Sequence, residues 1–205
     1  HLKINQFSIM AHSGGAAFAL ACAYQIPEHI SHVALVSGMP PVTHPEVQQH
    51  MPMGLRILHG LVRNLPGFSK LLMQLQRKIL LRPSVFNKMI QQFPKPDQLI
   101  LQSPGLAERS LLALKEALIQ GVSGAAYEFK ILSKEWNIQF ENIEVPTSIW
   151  QGRLDKQVLV PYAEFYAHKI PHAKLHIFEN DSHLSVLYNH IDKIIDACIS
   201  NTNQS

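Results

Sequence analysis

The sequence has no long apolar run and very little cysteine. No segment of its 205 residues approaches the ~18 consecutive apolar residues of a transmembrane helix, so none is predicted. Its two cysteines, Cys22 and Cys198, lie far apart in apolar helical segments, and we expect buried free thiols rather than one long-range disulfide. Free thiols are typical of a reducing compartment, so a cytoplasmic location is expected. The chain begins at His1 without a methionine, and we expect any targeting signal to lie upstream.

Charge is also scarce. Only 16% of the residues are charged and the net charge is +3, which is too weak to indicate nucleic-acid binding. No phosphate-binding or metal-ligand motif occurs, so the sequence predicts no cofactor and no metal. What it does contain is apolar material: 46% of the residues are hydrophobic, enough for a real core. The length suits one domain with an insertion, or two small domains.

The first part of the chain predicts a βαβ unit. Residues 7–11 form a short apolar run that ends at a glycine pair, which is typical of a buried strand. Residues 16–26 are rich in alanine and leucine and stop before Pro27, which predicts a helix. Residues 33–36 predict the next buried strand. Strand, helix and strand within so short a segment imply a parallel sheet.

The middle of the chain predicts a helical insertion at residues 43–121. Leucines recur there at helical spacing, several prolines separate the pieces, and no strand pattern interrupts them. Between Val47 and Pro96 there are eight Lys or Arg residues and no Asp or Glu. One interpretation is a solvated basic face, and the other is a lid attracted to anionic substrates or to a membrane surface. The first is favoured, so membrane contact is not expected.

Alternation of helices and strands then returns. Helices are predicted at 125–136, 161–169 and 184–199, with strands at 147–151 and 174–178, and a frayed polar tail at 201–205. The predicted fold class is therefore α/β, with a parallel sheet of about four strands, flanking helices and a helical insertion. The predicted core comprises residues 1–42 and 122–205.

The clearest chemical motif is Ala11-His12-Ser13-Gly14-Gly15, at the junction of the first strand and the first helix. A nucleophilic serine requires a tight strand-to-helix turn that exposes its hydroxyl and directs a backbone N–H at the developing oxyanion. Such a turn requires small residues two positions before and after the serine. Ala11 and Gly15 are small, although Ala11 replaces the first glycine of the usual G-x-S-x-G pattern. The alternative is a glycine-rich helix start without chemistry.

Two further motifs follow in order. Asp155 ends the segment Gln151-Gly152-Arg153-Leu154-Asp155 after one predicted strand, and His183 lies in Asn180-Asp181-Ser182-His183-Leu184 after the last one. With residues 7–41, these segments resemble the α/β-hydrolases in order and spacing, over almost the whole chain outside the insertion. The resemblance implies that Ser13 is the nucleophile, His183 the base and Asp155 the acid. It also implies that the N–H of Gly14 donates to the oxyanion. For the fold, the resemblance implies a partial α/β-hydrolase fold in which the helical insertion at 43–121 is a cap, or lid, over the pocket.

Alternatives remain for individual residues. Asp181 competes with Asp155 as the acid, although it also suits a cap for the last helix. His12 is expected to be structural, and His168, His172, His176 and His190 are interpreted as surface residues. Ser182 stands where the family usually has glycine.

Complete members of this family have several strands and a helix before the nucleophile strand. The resemblance therefore implies that the N-terminal third, with the loop that supplies the second oxyanion N–H, is missing from this sequence. One side of the strand at 7–11 would then lack a partner. We expect a missing N-terminal segment or a second chain to cover that sheet edge, with a naturally truncated gene product as the next possibility.

The resemblance implies a hydrolase of carboxylic esters or similar small acyl substrates, working through an acyl-serine intermediate. Related serine enzymes cleave amides, thioesters or carbon–carbon bonds, or transfer acyl groups, and the sequence does not separate these because the shape of the pocket decides. The alternative from another class is a truncated, inert hydrolase-like protein. Ala11, Ser182 and the missing oxyanion loop favour that alternative, whereas retention of all three triad residues opposes it.

Overall fold

The computed structural model describes residues 4–65 and 67–200, so the predicted frayed tail at 201–205 lies outside the described residues. The chain divides into two compact units. The first unit is His1–Pro40 with Trp136–Ser205, and the second unit is Pro41–Glu135. Within the described ranges, no helix is both long and apolar enough to span a bilayer.

The first unit contains a parallel sheet of four strands, as predicted. The strands are β1 (Phe7–His12), β2 (Ile30–Val36), β3 (Thr147–Gly152) and β4 (Lys174–Phe178), and they lie side by side in chain order. All three pairings are parallel, which requires a crossover connection between each strand and the next. β1 is an edge of this sheet among the described residues, and its Phe7 and Met10 side chains are exposed.

Helices make up most of the remaining regular structure. In chain order they are α1 (Gly15–Gln25), α2 (Pro45–His50), α3 (Met53–Asn64), α4 (Phe68–Leu80), α5 (Pro83–Ile90), α6 (Lys95–Leu101), α7 (Leu106–Ala117), α8 (Ser123–Leu132), α9 (Val160–Lys169) and α10 (Ser185–Ser200). Prolines occupy the first turns of α2, α5, α6 and α9, where the missing N–H costs no helical hydrogen bond.

The core of the first unit forms on both faces of the sheet because successive strand residues point to opposite faces. Ala34 and Val36 of β2 pack with Trp150 of β3 and with Val186 and Ile194 of α10. The other face carries Leu35, which lies with Ala16 of α1 and Tyr166 of α9 around Gly38. Helices therefore cover both faces of the sheet, which is the layer arrangement typical of α/β proteins.

All the regular secondary structure in the described part of the second unit is helical. α8 packs against α3 and α4, and the hydrogen bond between His59 Nδ1 and Ser133 Oγ (2.8 Å) joins α3 to the end of α8. The sequence placed α8 in the core, which was predicted to resume at residue 122. The first unit instead resumes at Trp136, because α8 packs on helices of the second unit.

The two cysteines are free, as expected, and both are half-buried. Burial raises the pKa of the Cys198 thiol. A thiol with a raised pKa is less ionised at neutral pH and therefore less nucleophilic.

A buried histidine connects two strands of the sheet. His32 of β2 is almost fully buried, and its Nε2 lies 2.9 Å from Ser148 Oγ of β3. The indole N–H of Trp150 donates to the same hydroxyl at 2.8 Å. Burial, and then the charge of Lys174, lower the pKa of His32, and the same two causes lower the pKa of His176. Both imidazoles therefore resist protonation in the folded state.

These lowered pKa values predict loss of stability in acid. The unfolded chain takes up protons at these histidines near their ordinary pKa of 6.5, whereas the folded chain does so only at lower pH. The free energy of unfolding should therefore decrease as the pH falls through 6.5. Melting temperatures measured by circular dichroism from about pH 8 to about pH 5, a range that spans the ordinary titration of histidine, test this. His32→Gln should flatten the dependence, whereas His168→Gln, at an exposed position of α9, should not. An equal slope in all three proteins would contradict the assignment.

Candidate active site

Ser13 occupies the turn between β1 and α1. Its φ of 55° lies in the left-handed region, which is unusual for a residue with a side chain. Its N–H donates to the carbonyl of Val36 (3.0 Å), while its own carbonyl accepts from Ala16 N (3.2 Å) and Met39 N (2.9 Å). Three backbone hydrogen bonds therefore hold the strained conformation and leave the side chain partly exposed at the carboxyl end of β1.

Small residues flank this turn as the sequence predicted. A Cβ added at Gly15 would lie 3.6 Å from the Cβ of Ala11, which is ordinary van der Waals contact. The methyl group of Ala11, which stands where the usual pattern has glycine, therefore does not crowd position 15 across the turn.

Met39 links the turn to α9. The hydroxyl of Tyr166 donates to the carbonyl of Met39, whose N–H donates to the carbonyl of Ser13. Burial raises the pKa of Tyr166 well above its ordinary value, so the hydroxyl stays protonated as a donor. α9 therefore supports the backbone of Ser13 through a chain of two hydrogen bonds.

Asp155 follows β3 and is 4% exposed. Its Oδ1 accepts hydrogen bonds from the N–H groups of Gln157 (2.8 Å) and Val158 (2.9 Å). Its Oδ2 lies 2.8 Å from Nδ1 of His183. The carboxylate is therefore fixed by the backbone of its own loop and points its second oxygen at the imidazole.

His183 lies between β4 and α10 and is 5% exposed. Because the carboxylate of Asp155 can only accept, Nδ1 of His183 carries the hydrogen, and the neutral ring presents Nε2 as an acceptor. The ring of His12 lies against it, with centroids 4.6 Å apart. His12 Nε2 donates to the carbonyl of His183 at 2.9 Å. The structure thus brings Asp155, His183 and the residue that precedes Ser13 together at the carboxyl ends of the strands.

Asp181, the alternative acid, has other partners. Its carboxylate binds the side chains of Asn189 and His190, each at 2.7 Å. The ring of His190 stacks on Phe178, with centroids 3.7 Å apart, and the backbone of α10 departs from helical geometry at this residue. Interpreting His190 as a surface residue was therefore wrong, and Asp181 anchors the His183 loop to α10.

His176 was also misassigned to the surface. It is half-buried, and its ring stacks on Trp150 with centroids 4.4 Å apart. His168 and His172 are exposed as predicted. The sequence does not show which histidines meet aromatic rings on other elements. It therefore contains no pattern that separates His176 and His190 from the exposed His168 and His172.

Gly152 lies where the loops after β3 and β4 touch. A Cβ at this position would lie 2.6 Å from backbone atoms of Asp181 and 2.7 Å from Ser182 N. The N–H of Leu154 donates to the carbonyl of Asp181 (2.8 Å), and Ser182 Oγ donates to the carbonyl of Leu154 (3.3 Å). Ser182 is thus accommodated in place of the usual glycine by a hydrogen bond, and the Asp155 and His183 loops form one joined structure.

Gly14 follows Ser13 directly and precedes the first turn of α1. A backbone N–H at a helix N-terminus is a suitable donor to an oxyanion. Across the described ranges, no cluster of three His, Cys, Asp or Glu side chains could hold a metal ion.

Solved structures of similar fold exist, although no protein-family model and no curated protein matches the sequence. A hydrolase from Pseudomonas aeruginosa PA01 is 18% identical, with a TM-score of 0.64 over 98% of this chain and 66% of that one. A bromoperoxidase from Bacillus anthracis is 16% identical, with a TM-score of 0.64 over 99% and 69%. An esterase from Exiguobacterium antarcticum is 15% identical, with a TM-score of 0.58 over 99% and 69%.

These identities are low, so the similarity shows the fold alone. The chain spans about two thirds of the length of each of these solved structures.

Proposed function

The chain has a partial α/β-hydrolase fold, and from that premise we propose that it hydrolyses carboxylic esters or related small acyl compounds. Ser13 is the proposed nucleophile, His183 the proposed base and Asp155 the proposed acid. The observation that carries the proposal is the hydrogen bond of 2.8 Å between His183 Nδ1 and Asp155 Oδ2, in a site where both side chains are buried. It fixes the tautomer that a general base requires.

Acylation follows from these roles. The hydroxyl oxygen of Ser13 attacks the acyl carbon as Nε2 of His183 removes the hydroxyl proton. The N–H of Gly14 stabilises the oxyanion of the tetrahedral intermediate, and Asp155 stabilises the imidazolium. The bond to the alcohol then breaks, and His183 returns its proton to the leaving oxygen. The product of this half-reaction is an ester of Ser13.

Deacylation repeats the sequence with water. His183 removes a proton from the water molecule as its oxygen attacks the acyl-serine, and it then returns a proton to the oxygen of Ser13. The acid is released and the serine is restored. No redox equivalent or further reactant is consumed, since water and the ester supply every atom of the products.

Covalent labelling tests the proposal most directly. A fluorophosphonate probe reacts with a serine only when a base activates it, so the native chain should be labelled and Ser13→Ala should not. Ser37→Ala is a matched control, because Ser37 also follows a strand and has a positive φ (44°) but is fully buried. The control should be labelled like the native chain, as measured by fluorescence after gel electrophoresis.

Three results would contradict the proposed roles. Labelling that survives in Ser13→Ala would place the reactive serine elsewhere, and absence of labelling in the native chain would contradict an activated serine. Labelling that survives in His183→Ala would show that His183 is not the base that activates the serine, although Ser13 could still be the nucleophile.

A further inference from the structure

Helix α4 presents an apolar stripe that is exposed in the part of the chain that the structure describes. Leu71, Leu75 and Ile79 recur every four residues, so they lie in one row along the helix. Their side chains are 56%, 54% and 51% exposed. The helix packs against α8 by other residues, since Ser69 is buried and Leu72 and Met73 are half-buried. The apolar stripe is therefore distinct from the buried side of α4, which packs against α8 and stabilises the second unit.

Cations border this stripe. A concavity of about 650 Å³ lies on the exposed side of α4 and is lined by Leu71, Gln74, Leu75, Arg77, Lys78 and Leu81. Lys70 adds a third exposed or half-exposed cation on the same helix. An apolar row with Lys and Arg beside it is the pattern of helices that lie in the interface of a bilayer.

The neighbouring helix shows a similar pattern. Met53, Ile57 and Leu61 of α3 recur every four residues, and their side chains are exposed. From Val47 to Pro96 the chain has eight Lys or Arg residues and no acidic residue. The sequence alone favoured a solvated basic face, and the exposed apolar rows are the observation that it lacked.

α7 provides a contrast within the same unit. It exposes Leu112, but its charges are balanced between Glu108, Arg109, Lys115 and Glu116. Exposed leucine therefore occurs here without a cationic border. The combination of apolar row and uncompensated positive charge is a property of α3 and α4, not of every helix in the unit.

We propose that α4, with α3 beside it, docks on an anionic lipid surface. Leu71, Leu75 and Ile79 enter the boundary between headgroups and acyl chains, while Lys70, Arg77 and Lys78 bind lipid phosphates. A second copy of this chain is a poorer occupant of this surface, because it would bring like charges together. This interaction does not depend on the proposed hydrolysis and can be measured without a substrate.

Vesicle flotation tests the docking. The chain is mixed with phosphatidylcholine vesicles, or with vesicles of phosphatidylcholine and phosphatidylglycerol, and the bound fraction is measured. We expect anionic vesicles to bind about two orders of magnitude more strongly, since each of the three basic residues near such a surface contributes about a five-fold factor. Binding should decrease as salt is raised, because counterions screen the attraction.

Two triple variants separate the contributions. Leu71→Gln/Leu75→Gln/Ile79→Gln should lower binding at least about tenfold through lost apolar burial. Lys70→Gln/Arg77→Gln/Lys78→Gln should lower it by about two orders of magnitude on anionic vesicles only. Leu99→Gln/Leu112→Gln/Ile119→Gln is the matched control, because these side chains are 55%, 57% and 66% exposed in the same unit. Circular dichroism checks that every variant is folded.

Several outcomes would overturn the proposal. The native chain could fail to float with either vesicle, or it could bind neutral and anionic vesicles equally. The matched control could lose as much binding as the α4 variant. Dimerisation that disappears in the α4 apolar variant, without any vesicle binding, would assign the stripe to a second copy of the chain. Unchanged binding of the charge variant to anionic vesicles would show that Lys70, Arg77 and Lys78 do not bind lipid phosphates.

Discussion

Ser13→Ala should lower kcat on short p-nitrophenyl esters by about a million-fold, the loss seen when the nucleophile of a serine triad is removed. Alanine keeps the backbone of the turn, whose three hydrogen bonds use only main-chain atoms of Ser13. The folded state should therefore persist, and the loss should appear in kcat. Residual rates above those in water would reflect the oxyanion donor and substrate binding alone. Steady-state kinetics and a thermal melt measure the two expectations separately.

Removal of the proposed base gives an internal check. His183→Ala should lose about as much activity as Ser13→Ala, and the double variant should lose no more than either, because the two residues act as a unit. His168→Ala is the control, since that histidine is exposed on α9. Losses that add in the double variant would show that the two side chains act in separate steps, and the proposed mechanism would be wrong.

Asp155→Asn should lower kcat by about 10⁴-fold with little change in KM. The asparagine oxygen can still accept from the N–H groups of Gln157 and Val158, which keeps the loop in place. Its NH₂ group would then face Nδ1 of His183 where the carboxylate now accepts. Nδ1 would have to become the acceptor, so Nε2 would carry the hydrogen and could not remove a proton from Ser13.

Asp181→Asn is the matched comparison for this prediction. The Asp181 carboxylate binds Asn189 and His190. An asparagine amide at position 181 should therefore weaken the anchor of the loop without changing the tautomer of His183. We expect a much smaller loss in kcat and a lower melting temperature. Equal kinetic losses in the two variants would indicate that both carboxylates act only by holding their loops.

The sheet and its flanking helices were largely predictable because their patterns are local. β4 was predicted at the residues where it lies, and α1 and α10 within one residue at each end. β2 begins at Ile30, three residues before the predicted strand. The reason is His32, a polar side chain that breaks the apolar pattern yet is buried, because Ser148 of β3 supplies its hydrogen-bond partner.

The boundary between the two units could not be predicted from local pattern in the same way. α8 has the alanine-rich sequence of a helix that packs closely, which is compatible with either unit. Its assignment depends on His59 and Phe129, whose rings meet edge to face at 5.3 Å from helices far apart in sequence. Only the folded chain reveals such a pairing.

The sequence proposed the residues of the candidate site but could not give their geometry. The order of Ser13, Asp155 and His183 could be read from the motifs, whereas the motifs alone do not show that the Asp155 carboxylate bonds to the imidazole of His183 while the Asp181 carboxylate bonds to that of His190. The anchor formed by Asp181 and His190 was missed because it depends on Phe178 and on a departure from helical geometry inside α10. Neither leaves a pattern in the sequence.

The open side of β1 has a thermodynamic consequence. In the part of the chain that the structure describes, β1 pairs with β2 alone, so one row of its backbone N–H and C=O groups faces outward. Any strand that adds there binds the folded chain and not the unfolded one, and mass action then increases the free energy of unfolding with the logarithm of its free concentration. If a second copy of the chain supplies that strand, the melting temperature rises with protein concentration and falls on dilution.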